Sequence, residues 1–288
     1  MIVMKFGGSS VANGERIRHV CQIVKDGLER KPVLVLSAMG DTTDHLLDAS
    51  EDALKGGTVS IEKIRDLHLK TIEDLNLKKT AAEIGPLLEE LRDLLAGISL
   101  IRELTRRTRD YLVSFGERLS ARIAAAYLNS IRIKAQAVDA WDAGLVSDSN
   151  YGAAELLPES WDRIPQALKP LTEQGMLPVV TGFIAKDEAG NITTLGRGGS
   201  DLSAAMIAAA CRAEEVQVWK DVDGILTADP RLVKNARPVE ALTYEEASEM
   251  AYFGAQVLHP RAMQPCIKTG VPVLVKNSYN ISAPGTRV

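Results

Sequence analysis

Short apolar runs alternate with longer amphipathic stretches along most of the chain. Apolar-rich runs predict buried strands at 2–6, 33–36, 131–138, 176–180, 215–220 and 271–275. Helical spacing predicts helices at about 11–28 and 200–210, and glycine-containing loops separate several strands from the next helix. A succession of strand, glycine loop and helix is typical of an α/β fold with a mainly parallel sheet.

Two segments depart from this alternation. Residues 61–108 contain few strand-forming residues and carry leucines at helical spacing, which predicts an insertion of about three helices that serves packing and subunit contact. Residues 186–196 predict a β-hairpin with its turn at Gly190-Asn191. Neither a repeat nor a linker is evident, so we expect one domain, 1–288, with two lobes at approximately 1–190 and 191–288.

Composition excludes several classes of protein. The apolar fraction of 45% and charged fraction of 25% are ordinary for a globular protein. A net charge of −4 gives no reason to expect a nucleic-acid partner, and the basic stretch 102–109 is interpreted as a solvated helix face. Three widely spaced cysteines indicate neither a disulfide framework nor a metal site. With no signal peptide and no apolar stretch of membrane-spanning length, we expect a cytoplasmic protein without a membrane partner.

Two glycine-rich turns are candidate anion sites. After the first strand come Lys5, Gly7, Gly8 and Ser9, where glycines permit close backbone approach and a helix N-terminus offers amide donors. The alternative is an ordinary turn with Ser9 and Ser10 capping the helix. The second turn, 195–201, combines Arg197 with Asp201 at a helix start, and an arginine among glycines favours a functional interpretation.

Two further segments give weaker signals. The acidic loop 219–231 follows a predicted strand and therefore lies at the carboxyl edge of the sheet, but its Asp-Gly and Asp-Pro pairs also form turns. Glu117, in the segment 114–120, is interpreted either as a capping charge at a helix start or as the partner of a substrate ammonium group.

Six segments, taken in order, resemble the aspartokinase branch of the amino acid kinase family. The resemblance spans nearly the whole chain and rests on KFGGSSV at 5, SAMGDTTD at 37, SFGERLSA at 114, TLGRGGSDLSAA at 194, WKDVDGILTADPR at 219 and YFGAQVLHPRAM at 252. It implies a three-layer α/β/α sandwich of the amino acid kinase (carbamate kinase-like) type. It also implies that ATP, with Mg²⁺, phosphorylates the side-chain carboxylate of L-aspartate to 4-phospho-L-aspartate, the first step toward lysine, threonine and methionine.

The resemblance also implies roles for residues. Lys5 and Asp201 would be catalytic. Aspartate would bind the N-terminal lobe, and the residues that hold it would be Thr43, Glu117, Arg197 and Ser200. The nucleotide would lie against the C-terminal lobe and contact Lys5, Gly7, Gly8, Ser9, Lys220, Asp221, Leu226, Arg231 and Gln256. No protein residue is expected to be a dedicated metal ligand, because Mg²⁺ keeps its waters and binds the phosphates.

The chain departs from the family pattern in two ways. Many members have threonine at the position of Lys220 and lysine at that of Gln256, so we expect Lys220 to supply the missing phosphate contact. Members usually continue into paired ACT domains, which 1–288 does not include, so we expect no intrinsic inhibition by lysine or threonine. The resemblance suggests a homodimer, and a separate ACT-type regulatory subunit is a possible partner.

Other functions remain open. The same fold could phosphorylate homoserine, glutamate, N-acetylglutamate, carbamate or a nucleotide. A non-catalytic regulatory subunit that binds amino acid or nucleotide is a second alternative, although Lys5, Arg197 and Asp201 are all retained. A dinucleotide-dependent oxidoreductase would need a GxGxxG turn, which the first strand-to-helix turn lacks.

Overall fold

The computed structural model describes residues 1–57, 59–228, 233, 235–252 and 258–288, which fold around a seven-stranded sheet. Its strands are β1 (Val3–Phe6), β2 (Val33–Leu36), β3 (Ala135–Val138), β5 (Leu177–Thr181), β8 (Val216–Lys220), β9 (Val273–Asn277) and β10 (Thr286–Arg287). They lie in the order β10-β9-β8-β1-β2-β5-β3, and all neighbours are parallel except β9 and β10. The predicted mainly parallel sheet is confirmed.

Helices cover both faces of this sheet. They are α1 (Gly14–Asp26), α2 (Thr42–Leu54), α3 (Glu62–Asp74), α4 (Thr80–Ile101), α5 (Arg106–Ser130), α6 (Ser160–Glu173), α7 (Gly199–Cys211), α8 (Tyr244–Tyr252) and α9 (Pro260–Thr269). One apolar cluster joins α1 to α5 with one face of the sheet, and a second joins α6, α7 and α9 with the other. This arrangement is the expected three-layer α/β/α sandwich. The predicted insertion at 61–108 contains two complete helices, α3 and α4, and only the first residues of α5.

Strand alternation sets which face each β1 residue joins. Met4 and Phe6 belong to the first apolar cluster and Val3 to the second, because successive strand residues point to opposite faces. Lys5 shares the face of Val3 and is therefore directed toward α7 rather than toward α1.

A smaller sheet lies beside the main one. It contains β4 (Val146–Ser147), β6 (Ile184–Asp187) and β7 (Ile192–Thr194), in the order β4-β6-β7. β6 and β7 pair in antiparallel fashion and form the hairpin predicted from the sequence. Gly190 has φ of +82° in the connecting turn, a conformation that glycine adopts at little cost.

Three local predictions were wrong. Residues Gly8–Val11 form a single 3₁₀ turn, and α1 begins only at Gly14, where the side chain of Asn13, not Ser9 or Ser10, accepts the capping hydrogen bond from the amide of Arg16. Glu117 lies inside α5 rather than at a helix start. β9 is not the last strand, because β10 pairs with it. The start of α1 is set by a local cap at Asn13, whereas β10 forms by pairing with β9.

Within the described residues, none of the helices combines the length and the apolar character that crossing a bilayer would need.

Candidate active site

The carboxyl ends of four neighbouring parallel strands meet at one edge of the main sheet. Phe6 pairs in register with both Leu36 and Trp219, and Leu36 pairs with Thr181. The loops that leave these strands therefore converge, as they do at the ligand-binding edge of open α/β sheets. Phe6 and Trp219 stack with ring centroids 5.5 Å apart near the ends of β1 and β8, within the first apolar cluster.

Two lysines share one buried carboxylate at this edge. Lys5 Nζ lies 2.6 Å from Asp201 Oδ1, and Lys220 Nζ lies 2.9 Å from Asp201 Oδ2. The Lys5 and Asp201 side chains are 7% and 6% exposed, whereas Lys220 is 23% exposed. The structure thus brings together three of the predicted residues, from β1, α7 and β8, in a cluster with one excess positive charge.

Burial and charge act in opposite directions on this cluster. Desolvation lowers the pKa of Lys5, and Lys220 lowers it further, while Asp201 partly offsets both. Desolvation alone would raise the pKa of Asp201, but the two ammonium groups outweigh it and hold that pKa below its usual range. Asp201 is therefore a carboxylate that positions two cations, and an anion approaching from the exposed side meets Lys220 first.

Glycines allow the loops around this cluster to approach closely. A Cβ on Gly8 would lie 2.8 Å from the carbonyl oxygen of Ala38, and a Cβ on Gly7 would lie 3.8 Å from Lys5 Nζ. The amide of Gly40 donates to the carbonyl of Gly8 at 3.1 Å, which ties the first loop to the loop after β2. A side chain at Gly8 would therefore disturb this packing, whereas a Cβ at Gly7 would make only an ordinary contact with Lys5.

Glu117 lies beneath these loops with one oxygen unpaired. Glu117 is 3% exposed, and its Oε1 accepts a hydrogen bond of 3.1 Å from the amide of Ala38. Oε2 is buried and meets no hydrogen-bond partner among the described residues. Desolvation raises the pKa of Glu117 to about 8, although the Ala38 amide and Lys5 act in the opposite direction. A cationic ligand group beside Oε2 would complete the pairing of this carboxyl group.

The second glycine turn leads into α7. Gly198 has φ of +73° at the N-cap, a left-handed conformation that glycine accommodates, and a Cβ there would lie 3.0 Å from the His259 side chain. Ser200, in the first turn, accepts a hydrogen bond of 3.0 Å from the hydroxyl of Ser37. Arg197 is exposed and has no ion pair with the described residues. The exposed guanidinium and the first-turn amides together offer donors to an anion.

The remaining predicted residues lie around the cluster without joining it. Thr43 is half-buried in the first turn of α2, and Ser9 is exposed in the 3₁₀ turn, where its carbonyl accepts from the Tyr279 hydroxyl. Asp221 is exposed just after β8, and Leu226 bridges to Pro238. Two predicted positions, Arg231 and Gln256, lie outside the described residues.

Two supporting residues were missed by sequence reasoning. Asp110, 2% exposed, accepts from the amide of Gly152 at 2.9 Å and from the amide and hydroxyl of Thr194 at 2.8 and 2.9 Å. Ser278 donates to the carbonyl of Lys220 at 3.0 Å and its hydroxyl lies 2.8 Å from that of Ser10. Neither residue stands in a motif, since each acts through partners that are distant along the chain.

Comparisons with known proteins agree with this fold. The model of the amino acid kinase family matches residues 1–277. Aspartokinase 1, chloroplastic, of Arabidopsis thaliana is 49% identical over 295 residues, which cover 99% of this chain and 51% of the relative. The crystal structure of E. coli aspartokinase III in complex with aspartate and ADP has a TM-score of 0.88 at 33% identity, covering 100% of this chain and 64% of that one. The chain thus spans about half the length of the plant relative.

Proposed function

We propose, because the chain belongs to the amino acid kinase family, that it transfers the γ-phosphoryl group of ATP to the side-chain carboxylate of L-aspartate. The products would be 4-phospho-L-aspartate and ADP. The new bond joins the carboxylate oxygen to phosphorus, and the bond to the β,γ-bridging oxygen breaks. A carboxylate is ionised at neutral pH, so the reaction needs positioning and charge neutralisation rather than a strong general base.

The observation that carries this proposal is the Lys5–Asp201–Lys220 cluster at the carboxyl edge of the sheet. Two ammonium groups held by one carboxylate leave one excess positive charge to meet the phosphates. Lys5 is fixed by burial and would stabilise charge on the transferring group, while the more accessible Lys220 would meet the nucleotide. Asp201 would orient both lysines.

The amino acid would lie on the side of this cluster that faces the N-terminal lobe. Glu117 Oε2 is the buried unpaired acceptor and suits an ammonium group. Arg197 is an exposed cation that suits a carboxylate, and Thr43 and Ser200 add hydroxyl donors. These four roles follow from the family resemblance and the chemistry of the side chains.

The nucleotide would lie on the other side of the cluster, against Gly7, Gly8, Ser9, Asp221 and Leu226. Mg²⁺ would arrive on ATP and help to neutralise its phosphates. The chemistry of the residues fits this route, since both oxygens of Asp201 already contact lysines and no group of three or more His, Cys, Asp or Glu in the described residues could hold a metal.

The organisation of the protein is part of the same proposal. The chain would be one catalytic domain with an amino-acid-binding lobe at 1–190 and a nucleotide-binding lobe at 191–288, would form a homodimer, and would act in the cytoplasm, alone or with an ACT-type regulatory subunit. The three free cysteines in the chain are buried, which suits a reducing compartment.

The decisive experiment measures ADP release with aspartate, homoserine, glutamate and N-acetylglutamate as acceptors, with hydroxylamine present to trap acyl phosphates. We expect ADP release and a hydroxamate with aspartate. Lys5→Met should lower turnover by about 100-fold or more, as removal of a fixed transition-state cation does. Lys276→Met, on β9 and two strands away from β1 in the same sheet, serves as the matched control. ADP release without a hydroxamate would indicate a hydroxyl acceptor, and no release with aspartate would refute the proposal.

A further inference from the structure

A second polar cleft lies between α4, the first turns of α5 and the β6–β7 hairpin. Its volume is about 510 Å³, within the range of small-molecule sites. Arg107, Arg118 and Lys186 line it, and among the described residues that line it Glu90 is the one carboxylate. The cleft therefore carries two excess positive charges. Lys5, Asp201 and Lys220 do not line it.

Arg118 is the most constrained of these cations. Its side chain is 12% exposed, and Nη2 lies 3.3 Å from Glu90 Oε2. Nε and Nη1 are buried and meet no acceptor among the described residues. Desolvation lowers the pKa of this guanidinium, and Glu90 only partly offsets the effect. Among the described residues, the guanidinium has one ion pair, with Glu90, and its Cζ lies 4.8 Å from the ring centroid of Phe115. Another anion would compensate its charge.

Aromatic side chains form part of the same walls. Lys186 Nζ lies 4.0 Å from the ring centroid of Trp141, and the Tyr111 hydroxyl donates to Glu90. The hydrogen bond from Tyr111 and the contact with Arg118 direct Glu90 to one side of the cleft. The walls of the cleft therefore combine the aromatic side chains of Trp141 and Tyr111 with positive charge.

We propose that this cleft binds a small organic oxyanion, a carboxylate or phosphate attached to a flat apolar group, at a site separate from the Lys5–Asp201–Lys220 cluster. The inference rests on the side chains that line the cleft and does not depend on the proposed phosphoryl transfer.

Titration calorimetry on the full chain, at constant ionic strength, tests this proposal with three probes. Phenyl phosphate and benzoate carry a ring and an anion, and phenol carries the ring alone. We expect at least one of the two anions to bind and phenol to bind at least about tenfold more weakly. Comparison of the two anions identifies whether phosphate or carboxylate is preferred.

Variants locate the binding. Arg118→Gln and Lys186→Gln should each raise the Kd about threefold to tenfold, while Arg106→Gln, an exposed neighbour of Arg107 that does not line the cleft, should leave it unchanged. If Arg118→Gln does not fold, the doubly substituted Arg107→Gln/Lys186→Gln chain replaces it and should likewise raise the Kd. Failure of both anions to bind, equal binding of phenol, or loss of binding in Lys220→Ala but not in the cleft variants would overturn the proposal.

Discussion

Lys5 shows how one residue acquires its environment from strand geometry. Its neighbours Met4 and Phe6 lie on one face of the sheet, so Lys5 must lie on the other, where α7 presents Asp201. A buried ammonium group without this partner would be strongly disfavoured, because desolvation opposes its charge. The Lys5–Asp201 ion pair therefore depends on the position in which α7 packs against β1.

Lys220 is the accessible cation of the cluster. We predict that Lys220→Ala raises the KM for ATP and lowers kcat, together by about 10-fold to 100-fold in kcat/KM, because a charge that meets the phosphates is lost. Steady-state kinetics with varied ATP measures this effect. Lys276→Ala is the control, since Lys276 Nζ lies 5.1 Å from the centroid of Trp219 but outside the ion cluster. Unchanged kcat and KM for ATP would show that Lys220 does not contact the nucleotide.

Glu117 should make the free energy of unfolding depend on pH. Its pKa rises from the ordinary value of 4.5 to about 8 on folding, so the folded protein binds more protons than the unfolded chain between these values. The stability that this group contributes is therefore lost as pH rises through that interval. We predict that Glu117→Gln is more stable than the parent chain at pH 9, by about 1–3 kcal/mol, with a smaller difference at pH 5.

Urea unfolding at several pH values measures this dependence. Glu89→Gln, an exposed substitution in α4, is the control and should follow the parent chain. A stability difference between Glu117→Gln and the parent chain that is independent of pH would contradict the assignment. Under the proposed function the same variant should also raise the KM for aspartate, because an amide cannot form an ion pair with an ammonium group.

At the scale of elements, Asp110 joins α5 to β7. Two of its three hydrogen bonds hold Thr194 and the third holds Gly152. Thr194 lies three residues before Arg197 and one before the glycine turn of α7. We predict that Asp110→Asn lowers the free energy of unfolding by about 1–3 kcal/mol, since an amide nitrogen replaces an acceptor of buried hydrogen bonds. The KM for aspartate should rise more than the KM for ATP, because the displaced loop carries Arg197.

Chemical unfolding and two-substrate kinetics test this prediction together. Asp93→Asn, exposed on α4, is the matched control. If Asp110→Asn loses stability while both KM values stay unchanged, Asp110 supports the fold but does not position the loop.

At the scale of the whole molecule, one sheet runs through both proposed lobes. β1 is central and pairs with β2 on one side and β8 on the other, so the two lobes share backbone hydrogen bonds. We predict that they unfold in a single transition, because separation of the lobes would expose the edges of both strands. Tryptophan fluorescence and far-ultraviolet circular dichroism should give coincident urea transitions, whereas two separated midpoints would show that the lobes are independently stable.

Several parts of the architecture could be predicted from local pattern. The buried runs that became β1, β2, β5, β8 and β9 are short and strongly apolar, and the glycine turns and the hairpin at Gly190-Asn191 have specific backbone requirements. The predicted bounds of helices and strands were less accurate where contacts between distant parts of the chain shape the local structure. The turn Gly8–Val11 packs against the loop after β2, and β10 forms only because β9 offers an edge.

The sequence by itself determined the order of strands, glycine turns and helices, and it drew attention to Lys5, Asp201, Lys220 and Glu117, because these features are local or stand in recognisable segments. Only the tertiary structure decided that Asp201 contacts both lysines, that Glu117 keeps an unpaired buried oxygen, and that Arg118 lines a second cleft. Distances between side chains, and the desolvation that sets their pKa values, arise from residues far apart along the chain and have no signature in a local pattern.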